Sequence, residues 1–154
     1  MTGGTIVCGV TESADGRNAA ELAHALGARL DLRLVLVYVV DGVVPGTEEG
    51  MSSRQRQAGA RRTLDEIARD VGNGVDKRIV LGDRAERLAQ VAAEEGADLI
   101  VLGSRPAGIG NRKLRCTLAR ELEAATPVPV LVAPPSTRRH SDHRLSMALD
   151  AAER

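Results

Sequence analysis

Ala97-Asp98-Leu99-Ile100-Val101-Leu102-Gly103-Ser104-Arg105-Pro106-Ala107-Gly108-Ile109-Gly110-Asn111-Arg112-Lys113-Leu114-Arg115-Cys116-Thr117 is the stretch around which the chain is organised. An unbroken apolar run, Leu99 to Leu102, stops at Gly103. A loop with the cations Arg105, Arg112, Lys113 and Arg115 and no acid follows, and Thr117 then opens an amphipathic segment. The order predicts a buried strand, an anion-attracting loop and a helix N-terminus. Backbone N–H groups at a helix start, together with the positive end of its dipole, favour a phosphate without any catalytic side chain. Binding is therefore the first expectation, ahead of chemistry.

Working outward, the same strand-then-helix order repeats. Thr5 to Val10 is short and apolar, and Ser13 in the polar cluster behind it suits an N-cap. Ala19, Leu22, Ala23 and Leu26 then recur at helical spacing, and Gly27 suits a left-handed C-cap; His24 falls off the stripe and reads as a helix-surface histidine. Leu32 to Val40 predicts a buried central strand. Ala60, Leu64, Ile67 and Val71 mark a second helix closed by Gly72, with Arg54, Arg56, Arg61, Arg62 and Arg69 on its solvated side. Val75 to Leu81, with Asp76-Lys77-Arg78 at its centre, is polar enough for a sheet edge.

Asp83 and Glu86 stand at capping-box spacing before Leu88, Val91 and Ala92, and Gly96 ends that helix. Beyond Thr117, the residues Leu118, Leu122 and Ala125 form a last stripe. The final strand, Val128 to Ala133, contains Pro129, which lacks a ladder donor and belongs on an edge. An apolar edge invites association, so this strand is expected to be a dimer seam. Residues 1–135 form one domain in this reading. Residues 136–154 form a polar tail, either disordered or with a short helix over Leu145 to Ala152.

Composition limits the partners. The chain has 154 residues, with 21 Lys and Arg against 21 Asp and Glu, so no global field draws it onto nucleic acid or a membrane surface. Tyr38, the single aromatic residue, leaves no stacking platform for single strands. The longest apolar run, Leu34 to Val40, is far short of the roughly 18 residues of a membrane span, and the start Met-Thr-Gly-Gly lacks the charged n-region of a signal peptide. A cytoplasmic location is expected. Cys8 and Cys116 show no Cys-x-x-Cys spacing and no neighbouring His, so neither a disulfide framework nor a metal site is expected.

Five strands alternating with helices predict an open α/β sheet, all parallel, with helices on both faces. Ligands bind such sheets beyond the strand carboxyl ends, where neighbouring strands send the chain to opposite faces. The loops starting at Thr11 and Gly103 are the candidates.

At this point the sequence resembles the universal stress protein family from Thr5 to Ala133. The resemblance rests on Ile6-Val7-Cys8-Gly9-Val10 with Ser13, Gly82-Asp83-x-Ala85-Glu86, Gly96 to Arg105, and Pro127-Val128-Pro129-Val130-Leu131-Val132. It implies strand order 3-2-1-4-5, a homodimer through strand five and a stress or dormancy role. Members divide into those that bind ATP and those that do not. The ATP-binding pattern is glycine, two residues, glycine, nine residues, then glycine with serine or threonine. The spacing survives as Gly103, Pro106 and Cys116-Thr117, but two of its glycines do not, and the family's Asp at the end of strand one falls on Thr11. By resemblance Gly103, Ser104, Arg105 and Thr117 meet phosphates. Thr11 and the Val39–Val40 backbone lie near ribose and adenine, with Mg²⁺ accompanying a bound ATP.

The departures carry magnitudes. Pro106 offers no N–H, a loss of about 1.5–3 kcal/mol for a charge-assisted bond. Cys116 in a left-handed glycine position costs roughly 1–2 kcal/mol, and the missing Asp about 1 kcal/mol. Together these weaken ATP on the order of a thousandfold. Arg112, Lys113 and Arg115, if they clamp the phosphates, offset well under about 1 kcal/mol each. The expectation is a dimeric regulatory module with a degenerate ATP site and an unidentified protein partner. The alternative is a working ATP-dependent switch, with slow hydrolysis. An enzyme of the related adenine-nucleotide α-hydrolase group finds no Ser/His/Asp arrangement, Walker A lysine or paired carboxylates to support it.

Overall fold

The structure, a computed structural model, describes residues 3–40, 53–72, 74–104 and 117–134. In chain order these form β1 (Thr5–Gly9), α1 (Ala14–Leu30), β2 (Arg33–Val40), α2 (Ser53–Val71), β3 (Asp76–Leu81), α3 (Arg84–Glu95), β4 (Ala97–Leu102), α4 (Thr117–Ala125) and β5 (Val130–Val132). The strands make one sheet in the order β3-β2-β1-β4-β5, and every described pairing is parallel. The architecture expected from the alternation of patterns is the one found.

Side-chain alternation along the strands divides the core between two faces. Ile6, Cys8, Leu34, Leu36 and Val101 pack with Ala19, Ala20 and Ala23 of α1 and Leu64 and Ile67 of α2. Val7, Val35, Val37, Ile100 and Leu102 face Leu88 and Val91 of α3 and Leu122 of α4. Both layers are aliphatic, and the central strands are buried on both sides, as their β-branched composition requires. At the start of β1 the Asp98 carboxylate accepts the Thr5 N–H at 3.0 Å. The β1–β4 register shifts at that point. Arg33 and Arg78 pair with Glu95, and Arg78 also with Glu94 at 2.7 Å, which ties the polar edge of the sheet to the end of α3. Arg54, Arg61, Arg62 and Arg69 are exposed on α2.

Two expectations need correction. Gly27 is not a C-cap: α1 runs on to Leu30, and Asp31 takes the left-handed cap (φ 56°). Gly27 is buried inside the helix, where a Cβ would lie 2.9 Å from the Leu32 carbonyl oxygen, so the glycine serves close packing against the chain entering β2. The last strand is also shorter than Val128 to Ala133, covering only Val130–Val132. Pro129 cannot donate, although its carbonyl still accepts the Ile100 N–H at 2.9 Å. The tail, 136–154, lies outside the described residues.

Candidate functional site

β1 and β4 are neighbours, yet β1 leads to α1 on one face and β4 towards α4 on the other. The divergence opens a cleft at the carboxyl ends of the strands. It holds about 700 Å³ of empty space counted out to its open mouth. Its floor is aliphatic, from Val37 and Val39 of β2, Leu102 of β4 and Leu88 of α3, and Leu118 and Val132 extend it towards α4 and β5. Among the described residues the polar side chains lining it are Thr11, Ser13, Arg84 and Ser104.

The wall after β1 is a hydroxyl-built turn. Thr11 Oγ1 accepts the Ser13 N–H at 3.3 Å and lies 2.7 Å from Ser13 Oγ, and Ser13 Oγ accepts the Gly16 N–H at 3.2 Å. The first pair forms a turn of the type Ser and Thr favour. The last bond is the N-cap expected of Ser13. Opposite, Gly103 lies against the first turn of α1: a Cβ there would sit 2.5 Å from the Asp15 carbonyl oxygen. Gly16 is confined within its own turn, since its Cβ would lie 2.6 Å from the Thr11 nitrogen, and its nitrogen would lie 3.1 Å from a Cβ on Gly103. The two loops therefore meet backbone to backbone. Ser104 Oγ donates to the Ala133 carbonyl oxygen at 2.5 Å, joining the end of β4 to the end of β5.

Four residues expected at a ligand site, Thr11, Val39, Gly103 and Ser104, are thus brought to one cleft. Val40 does not line it, and its carbonyl accepts the Gly82 N–H at 3.0 Å in the turn after β3. Thr117 opens α4. Arg105, Pro106, Arg112, Lys113, Arg115 and Cys116 lie outside the described residues. Arg84 was not expected at the site. Its sequence position, directly behind the Asp83 N-cap, marks only a helix start, and strand order is what carries that start to the cleft. His24 sits elsewhere, in a crevice it shares with Gly27 and Val75. Among the described residues no group of three His, Cys, Asp or Glu side chains is placed to hold a metal ion, and no helix is long and apolar enough to cross a membrane.

The architecture is that of open parallel α/β proteins with a ligand cleft at the topological switch point. Residues 4–134 match the sequence profile of the Universal stress protein family, and the chain belongs to that family. It is similar to a crystal structure of a universal stress protein family member from Burkholderia pseudomallei, at 32% identity and a TM-score of 0.66, covering 86% of this chain and 96% of that one. The universal stress protein Sll1654 of Synechocystis sp. is 27% identical over 133 residues, 84% of this chain and 85% of that protein. A more distant member from Arabidopsis thaliana, solved with AMP bound, is 20% identical with a TM-score of 0.59, covering 88% of this chain and 94% of that one.

Proposed function

We propose that the chain is a cytoplasmic stress-response module, not an enzyme, whose cleft takes an adenine nucleotide weakly and which works as a homodimer with an unidentified regulatory partner. The carrying observation is the state of the cleft's hydroxyls. Thr11 and Ser13 bond each other, Ser13 caps α1, and Ser104 donates to Ala133, so a ligand meets groups already engaged. The position of the cleft, its aliphatic floor and the AMP held by the Arabidopsis relative support the adenine-nucleotide class. Thr11, Pro106 and Cys116, where ATP-binding members carry Asp and two glycines, support weak triphosphate binding. The exposed apolar side chains of edge strand β5, Leu131 at 38% and Val132 at 42%, support the dimer seam.

The test is to identify nucleotide released from the denatured protein and to titrate the stripped protein calorimetrically with ATP and Mg²⁺. The expected result is no co-purified nucleotide and dissociation in the range of about 1 mM, a thousandfold above a micromolar site. A second reading, a nucleotide-dependent switch with slow ATP hydrolysis, is favoured by the four cations among residues 105–115 of the sequence. Co-purified nucleotide or micromolar affinity selects it.

A further inference from the structure

The helices do not cover the edge strand β3 evenly. α2 packs on β3 from one side of the sheet, whereas on the other side α3 packs on β1, β2 and β4. Between α3 and β3 lies a groove with about 580 Å³ of empty space counted out to its open mouth. Arg78 and Val80, at alternate positions of the strand, face it, and Leu81, 47% exposed, lines it at the strand's end. Arg87, Val91 and Glu94 form the opposite wall, at the spacing of one helix face. In the described sheet β3 has a single strand neighbour, β2, so its outer main chain is open to pairing.

The charges of this groove do not cancel. Glu94 pairs with Arg78 at 2.7 Å, and Arg78 also reaches Glu95. Arg87 donates through Nη1 to a neutral acceptor, Gln90 Oε1 at 2.7 Å, and pairs with no carboxylate among the described residues. Its Nε is buried without an acceptor against the turn at Gly82, where a Cβ would lie 2.6 Å away. Buried donors in folded proteins are nearly always satisfied, so this one calls for an acceptor that the chain itself does not supply. A carboxylate entering the groove supplies it, in the charge-assisted form that guanidinium favours.

We propose that the β3 edge and its groove dock an extended acidic segment of a partner protein. The segment adds a strand beside β3, seats an apolar side chain on Val80, Leu81 and Val91, and sets a carboxylate on Arg87. Main-chain pairing supplies affinity in this mode, and the groove supplies selectivity. The inference goes beyond the reading above, which assigns a partner no surface, and it does not draw on the nucleotide cleft, with which the groove shares no lining residue. The experiment titrates the isotope-labelled full chain at low salt with a short blocked peptide alternating valine and glutamate. A second titration uses the same peptide with glutamine in place of glutamate, and both follow backbone amide NMR shifts. Shifts are expected to concentrate on β3 and the facing side of α3, with the glutamate peptide bound about tenfold more tightly, the gain of one charge-assisted contact. Arg87→Met is expected to reduce that preference to within about twofold while leaving the glutamine peptide bound as in wild type. The two peptides on wild type decide the matter even if the variant folds poorly. Equal affinities, shifts centred on another surface, or no binding of either peptide overturns the proposal.

Discussion

A methyl group at position 103 would lie 2.5 Å from the Asp15 carbonyl oxygen, well inside contact distance. Gly103→Ala is therefore expected to lower the unfolding free energy by about 1–3 kcal/mol, the usual cost of overpacking, with or without nucleotide. Urea unfolding monitored by circular dichroism checks it, and a loss within about 0.3 kcal/mol refutes the packing argument. Cys8 makes a second prediction. Complete burial pushes its thiol from 9.0 up to about 12. The unfolded thiol ionises from about pH 9 while the native one stays protonated, so the unfolded chain binds fewer protons and stability falls as pH rises. The contribution reaches about 4 kcal/mol near pH 12 and is absent below pH ~8. Cys8→Ala should remove that part of the alkaline slope, as denaturation midpoints at pH 8 and pH 10.5 would reveal.

The turn into α1 joins stability and site in one element. Ser13→Ala removes the cap on Gly16 and the partner of Thr11, so a loss of about 1 kcal/mol is expected in the same unfolding assay. Thr11→Asp should behave differently, because a carboxylate can accept the Ser13 N–H as the hydroxyl does, leaving stability within about 0.5 kcal/mol. Elements of this kind were legible in the sequence because their signals are local. Ser13, Asp83 and Gly96 are caps where the pattern placed them. Gly27 misled because a helix interior can carry glycine for a neighbour's sake, and Leu32, five residues on, is that neighbour. The prolines around β5 marked an edge correctly but hid how few residues pair there.

For the whole molecule, wild type is expected to sediment as a dimer and a Val132→Glu, Leu131→Arg double variant as a monomer. Wild-type monomer at high concentration sinks the seam at β5. Converting Thr11, Pro106 and Cys116 to Asp, Gly and Gly together should strengthen ATP binding in calorimetry, and no gain counts against erosion as the account of weak binding. The site was less legible than the fold for a topological reason. Thr11 and Gly103 announce themselves as loop starts, whereas Arg84 reaches the cleft only because β3, β2, β1 and β4 stand in that order. Val132 carries one more consequence, since it both lines the cleft and lies 42% exposed on the edge strand. Anything docked along that edge touches a wall of the cleft. If the chain pairs through β5 and a ligand in the cleft alters that pairing, linkage makes the ligand's affinity depend on protein concentration, and two laboratories working at different dilutions would obtain different dissociation constants from the same protein.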